Sequence, residues 1–223
     1  MDDCEYLLNI LYTSTEPNSN EPQRCVVVMD RLRAVTFRHG GHKKFTQDQI
    51  TKIYPIGLPN RSIEPVNVKV VFINDTADLI VFHTIDKDFD NYPDAVGSSW
   101  LGTQYRMIGI DGKGRPNVKS GVISKERLGF VIGDNHAEDG DSGAAIIDRR
   151  NWFIGMAVGK QNFLSPPYML KNSTLDLNQM ASHFSYAKIL PAQTILAHLP
   201  AEENEILDED PPCKREKKDE SKQ

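Results

Sequence analysis

The sequence predicts an all-β protein, a barrel or sandwich finished by one C-terminal helix, and three observations carry that expectation. Ten short runs are rich in β-branched and aromatic residues. Gly, Pro, Asn and Asp clusters separate those runs. A single stretch near the end has apolar residues at helical spacing.

The strands read off in order. "RCVVVMD" and "RAVTF" come first, then "VKVVFI" and "DLIVFHT" on either side of the turn "NDTAD". The polar segment "DFDNYPDAVGSS" has the composition of a linker, and "YRMIGI", "GVIS" and "GFVIG" follow, the first two separated by "DGKGRPN". "GAAIID" and "WFIGMAV" flank a polar turn and predict a buried hairpin, and "FSYAKI" is the last strand. In "PAQTILAHL" a proline stands at the expected first turn of the helix. Residues 1–19 are expected to be a lead-in. No repeat of fixed period occurs.

Composition narrows the function classes. The 223 residues are enough to bury a sizeable core, and 26% charged against 39% hydrophobic residues is ordinary for a soluble protein. No run has the length of a membrane span, and the acidic start "MDDCEYLLNILYTS" lacks the basic flank and cleavage site of a secretory signal. Three widely spaced cysteines, Cys4, Cys25 and Cys213, then read as free thiols in a reducing, intracellular compartment. Residues 201–223 hold nine acids and five bases, so of the net −5 only −1 belongs to residues 1–200. A near-neutral body gives no support to nucleic-acid binding. The tail is too poor in apolar residues to offset its ordering entropy and is expected to be disordered. Its "KREKK" reads as a nuclear address less well than as part of a solvated, charge-alternating tail, so a cytoplasmic location is expected first.

The chemistry-bearing stretch is "EDGDSGAAIID", Glu138 to Asp148. A serine hydroxyl becomes a nucleophile when a base takes its proton and a carboxylate orients that base. The oxyanion that forms needs backbone N–H donors. Ser142 lies in a turn where Gly140 leaves its own N–H unobstructed, and Asp141 is placed to hold the turn through local amides. For the base, His39 follows "RAVTF" at an expected strand end, and His42 in a glycine-flanked loop is its main rival. His83 falls on a strand, His136 in a loop near Ser142, and His183 and His198 lie downstream. For the carboxylate, Asp78 stands directly before the apolar run "LIVF", where partial burial would demand a donor. Asp75 is the alternative and has the look of a turn residue.

"AVTFRHG", "DLIVF" and "GDSGAA" occur in the order His, Asp, Ser. Together they resemble the trypsin/chymotrypsin-like serine protease family, with its "V-T-A-A-H-C", "D-I-A-L-L" and "G-D-S-G-G-P" segments. "FSYAKIL" before the helix is similar to the family's "G-V-Y-T-K-V" strand, and the likeness spans roughly residues 20–200. The resemblance implies two antiparallel six-stranded β-barrels of chymotrypsin type with a C-terminal α-helix. The first, residues 20–90, would carry His39 and Asp78; the second, 91–200, would carry Ser142 and the helix. It also implies His39, Asp78 and Ser142 as the triad and Gly140-Asp141-Ser142 as the oxyanion turn. His136, Lys160, His183 and Phe184 would then line a substrate pocket suited to acidic or polar side chains. No cofactor or metal is implied, and the partner is a protein or peptide substrate, with no nucleic acid and no membrane.

The chain also departs from the family. Ala144 and Ala145 stand where Gly-Pro is usual, and Gly40 stands where cysteine is usual. No "I-V-G-G"-like activation site precedes His39, so Asp141 must find a partner other than a freed N-terminus. These features resemble the intracellular, disulfide-free branch that folds without zymogen cleavage, such as the high-temperature-requirement or viral-type proteases. Two functions follow. The first is a serine endopeptidase working through an acyl-enzyme; the second is a protease-fold binding module without turnover.

Overall fold

The computed structural model describes residues 7–56, 64–161 and 185–200. The first six strands are β1 (Leu11–Thr13), β2 (Cys25–Val28), β3 (Arg33–Thr36), β4 (Ile50–Pro55), β5 (Val66–Asn74) and β6 (Leu79–Thr84). They close into a barrel in the order β1-β2-β3-β6-β5-β4. Side chains alternate across a strand, so Val66, Val68 and Val70 of β5 are buried in one phase. In β6 the four residues from Leu79 to Phe82 are buried in succession, because both faces of that strand are covered.

The remaining strands are β7 (Ala95–Val96), β8 (Gln104–Ile110), β9 (Pro116–Arg127), β10 (Phe130–His136), β11 (Ala145–Asp148), β12 (Trp152–Gln161) and β13 (Tyr186–Pro191). They are ordered β11-β8-β9-β10-β13-β12-β7, and the extra β11–β12 pairing closes a second six-stranded barrel with β7 attached in parallel to β12. The β11–β12 hairpin is the one expected from the sequence. Its turn is held by Asp148, which accepts the amides of Arg150 and Trp152, while the Arg150 guanidinium lies 3.6 Å over the Trp152 ring. Helix α1 (Ala192–His198) follows β13 with Pro191 at its N-cap, and buries Ala192 and Ile195.

One apolar cluster runs through both barrels, from Val68, Val70 and Phe82 to Ile108, Ala145, Ile147, Phe153 and the Ala192 and Ile195 side of α1. A smaller one, including Tyr105, Ile123, Ile154 and Ile189, fills the second barrel. Continuous burial of this kind ties the two halves together; Cys25, the cysteine among the described residues, is a buried free thiol.

Four strands differ from the sequence expectation, and one of them, β7, falls inside the segment read as a linker. Residues 11–13, placed in a lead-in, form β1, which pairs with both β2 and β4 and so closes the first barrel. Strand β4 departs from the expectation because only one of its residues, Ile53, is buried. Strand β9 runs for 12 residues, well beyond the apolar "GVIS". Ladders with β8 and β10 on either side hold its polar ends in extended form. Cys4, Cys213 and the tail at 201–223 lie outside the described residues.

Phe82 is fully buried and meets Phe45 edge to face at 5.5 Å. Phe82→Ala should therefore destabilise the protein by about 3–5 kcal/mol in urea unfolding. Leu128→Ser, at a position 99% exposed, should stay within about 0.5 kcal/mol of wild type. Equal effects of the two substitutions would contradict the placement of the core.

Candidate active site

Asp78 precedes β6 with φ +57°, a left-handed conformation that aspartate tolerates better than most residues. That bend turns its carboxylate back onto the loop after β3. Oδ1 accepts the amides of Arg38 at 2.9 Å and His39 at 2.8 Å, and Oδ2 accepts His39 Nδ1–H at 2.6 Å. The Asp78 backbone carbonyl takes a further bond from the Arg38 amide at 3.2 Å. With Nδ1 committed to the carboxylate, the free tautomeric position of His39 is Nε2, which has no hydrogen-bond partner among the described residues. The His39 side chain is 47% exposed, so Nε2 is open to an incoming group.

His39 does not end a strand as the sequence suggested. It is the N-cap of a short 3₁₀ helix, Gly40–Lys44, and that helix also carries His42. His42 has the opposite environment and is fully buried. Its Nδ1–H donates to the Phe37 carbonyl at 2.7 Å, and its Nε2 accepts the Ser14 hydroxyl at 2.6 Å. Burial, with the nearby Arg24 charge adding to it, pushes the imidazole down to about 4 against the pull of Phe37. His42 is a neutral core residue with both ring nitrogens occupied. The other alternative, Asp75, is mostly exposed and accepts Arg38 Nε at 2.8 Å.

Ser142 lies in the turn between β10 and β11. Two glycines give that turn its shape: Gly140 has φ +110° and Gly143 φ +88°. A Cβ on Gly143 would stand 2.5 Å from the Cys25 carbonyl oxygen and 3.1 Å from the Phe37 ring. Phe37 in turn lies against His39, with ring centroids 4.4 Å apart. Gly143 thus lets the serine turn of the second barrel close onto the histidine loop of the first. The Gly143 amide donates to Ala157, the Ala144 amide to Asp141, and the Asp141 amide to Glu138. The amides of Gly140 and Ser142 bond to no acceptor among the described residues, so two N–H donors in one turn are unoccupied. The Ser142 hydroxyl has no partner among them either, and no hydrogen bond joins it to His39.

Asp141 is buried and holds the turn as the sequence suggested, its Oδ2 accepting the Glu138 amide at 2.7 Å. Its partner, which the sequence did not name, is Lys119 of β9. The ammonium donates to Asp141 Oδ2 at 2.8 Å, to Glu138 Oε2 at 2.9 Å and to the His136 carbonyl at 3.4 Å. A sequence signal for it did exist. Lys119 falls in phase with Gly121 and the buried Ile123, on the inward side of β9.

No protein-family model and no curated protein matches the chain. Solved structures do match it. The apo MamO protease domain from Magnetospirillum magneticum superposes with a TM-score of 0.63 at 15% identity, over 88% of this chain and 99% of its own. The fold is that of the trypsin-like serine proteases. The inactive form of a mutant Rv3671c from M. tuberculosis gives 0.57 at 13% identity, over 87% and 86% of the two chains. A serine endoprotease from Yersinia pestis gives 0.59 at 13% identity, over 88% of this chain and 65% of the other. At such identities the likeness is one of fold.

Within this trypsin-like fold, the residues expected around a substrate pocket are only partly described. His136 ends β10 and pairs with Tyr186, so it is a strand residue where a loop was expected, and its Nε2 lies 4.0 Å from Glu138. Lys160 is in β12, and its ammonium reaches Asp139 at 3.1 Å. His183 and Phe184 lie outside the described residues. His83 is in β6 opposite Arg33, and His198 at the end of α1 stacks on Phe72. Among the described residues no helix is long and apolar enough to cross a membrane.

His42 has a prediction of its own. Its folded-state value lies below the unfolded 6.5, so its contribution to stability is complete above about 6.5 and is lost as pH falls from there towards 4. The loss should approach about 1.4 kcal/mol per pH unit within that window. In NMR spectra the His42 ring should keep the neutral Nδ1–H signature from pH 8 to about 5. Titration of His42 near its unperturbed value would contradict the buried, bonded geometry.

Proposed function

We propose that this chain is a serine endopeptidase with Ser142 as nucleophile, His39 as general base and Asp78 as the residue that orients the base. The observation that carries this reading is the Asp78 carboxylate gripping His39 through Nδ1 and its backbone amide, which leaves Nε2 open. His39 Nε2 takes the Ser142 proton as Oγ attacks the scissile carbonyl. The carbonyl oxygen becomes an oxyanion between the amides of Gly140 and Ser142. Collapse breaks the C–N bond, His39 returns the proton to the departing amine, and the acyl group stays on Ser142. Water activated by the same imidazole then releases the second product. The missing Ser142–His39 hydrogen bond is consistent with this sequence, since such bonds often tighten only when substrate is present. The reaction calls for no metal or cofactor.

In this reading the first barrel supplies the base and its carboxylate, the second supplies the nucleophile and the oxyanion donors, and the substrate is a polypeptide in the cleft between them. Lys160 and His136 favour acidic or polar side chains before the scissile bond. The Lys160–Asp139 pair is exposed, and such pairs contribute only about 0–1 kcal/mol, so Lys160 is free to exchange Asp139 for a substrate carboxylate. An intracellular, cytoplasmic setting fits the cysteine usage.

Purified protein should be labelled by a fluorophosphonate probe, and Ser142→Ala and His39→Ala should abolish both labelling and peptide hydrolysis. Asp78→Asn should fold and lose about 10⁴-fold in turnover. A well-folded wild-type protein that takes no label would instead be a binding module on a protease fold. For specificity, peptide-library profiling should enrich acidic or polar residues before the cleaved bond; a preference for large aromatic or basic ones would discard the role given to Lys160 and His136.

A further inference from the structure

We propose that Lys119 is a positioning residue for catalysis, holding the turn from His136 to Asp141 so that the amides of Gly140 and Ser142 point at one oxyanion. The proposal rests on the serine peptidase reading above. Asp141 adjoins the nucleophile and is 5% exposed, and a polar group so placed costs free energy unless it finds partners. Its Oδ2 has two: the Lys119 ammonium at 2.8 Å and the Glu138 amide at 2.7 Å.

The same ammonium also reaches Glu138 Oε2 and the His136 carbonyl. One nitrogen therefore ties both ends of the turn. Between those ends lies Gly140, whose backbone has the widest freedom to rotate and aim its N–H elsewhere. Fixing Glu138 on one side and Asp141 on the other removes that freedom before substrate arrives. The anchor is itself rigid. Lys119 is paired to Met107 in the β8–β9 ladder, and its side chain is 18% exposed. Burial would pull the ammonium down, but the hydrogen bonds and charges of Asp141 and Glu138 outweigh it and raise its proton affinity, so it stays charged. Glu138 responds in the opposite sense, held below the usual carboxylate range chiefly by its bond to Lys119.

The test compares wild type, Lys119→Met and Lys119→Arg by fluorophosphonate labelling, by turnover of a peptide ester, and by amide hydrogen exchange. Lys119→Met should lower the labelling rate and kcat on the order of 10²-fold, as loss of an oxyanion donor does. KM should remain within about threefold, since the loss lies in the transition state. Lys119→Arg, which keeps the charge, should return to within about tenfold of wild type. The Glu138 amide should exchange at least about tenfold faster in Lys119→Met but not in Lys119→Arg, with the Val70 amide unchanged. Labelling within about twofold of wild type in Lys119→Met would overturn the proposal. So would a fall in kcat matched by an equal rise in KM and not rescued by arginine. If Lys119→Met does not fold, Lys119→Gln carries the same comparison. If the wild-type protein takes no label, the peptidase reading fails, and Glu138 exchange still decides whether Lys119 holds the turn: faster exchange upholds that role and unchanged exchange overturns it.

Discussion

The candidate site depends first on the carboxylate of Asp78. It stands directly before the buried run Leu79–Phe82 of β6, so the core of the first barrel fixes its backbone. From there it binds two successive amides and the imidazole of the neighbouring loop. A partly buried carboxylate with three N–H donors tolerates little displacement. The position of His39 thus follows from the packing of a strand distant from it in the chain.

The second barrel contributes through its backbone. Before β11 begins, three amides of the turn serve the fold: Asp141, Gly143 and Ala144 donate within the turn or to β12. Gly140 and Ser142 do not. Donors left over in this way are a cost for a purely structural turn and an asset for one that meets an anion. The turn retains its shape because a buried ion pair anchors it from β9, and because Gly143 permits contact with the Cys25 carbonyl that no side chain could share.

His39 and His42 show how three residues of separation can divide two chemistries. The 3₁₀ helix turns one ring outwards to Asp78 and solvent, and the other inwards beneath Phe37 and Phe45. The outer ring keeps a free nitrogen. The inner ring has both nitrogens bonded, and burial makes its protonation unfavourable. Local sequence presents the two as near equals, and only their surroundings separate them.

The sequence by itself determined the β-rich class, the β11–β12 hairpin, the terminal helix and most strand positions, because alternating or continuous apolar runs bounded by turn residues are local properties. It also brought His39, Asp78 and Ser142 forward in an order that resembles a known family. The tertiary structure alone decided the closing strand β1, the sparsely buried β4 and the polar reaches of β9: β1 is a run of only three residues, and β4 and β9 are held by ladder bonds to distant partners more than by burial of their own side chains. It decided too that Lys119 meets Asp141, a pairing across 22 positions of the chain. Such a pairing follows from the phase of β9 against the barrel interior, and that phase is set only when the ladder with β8 closes.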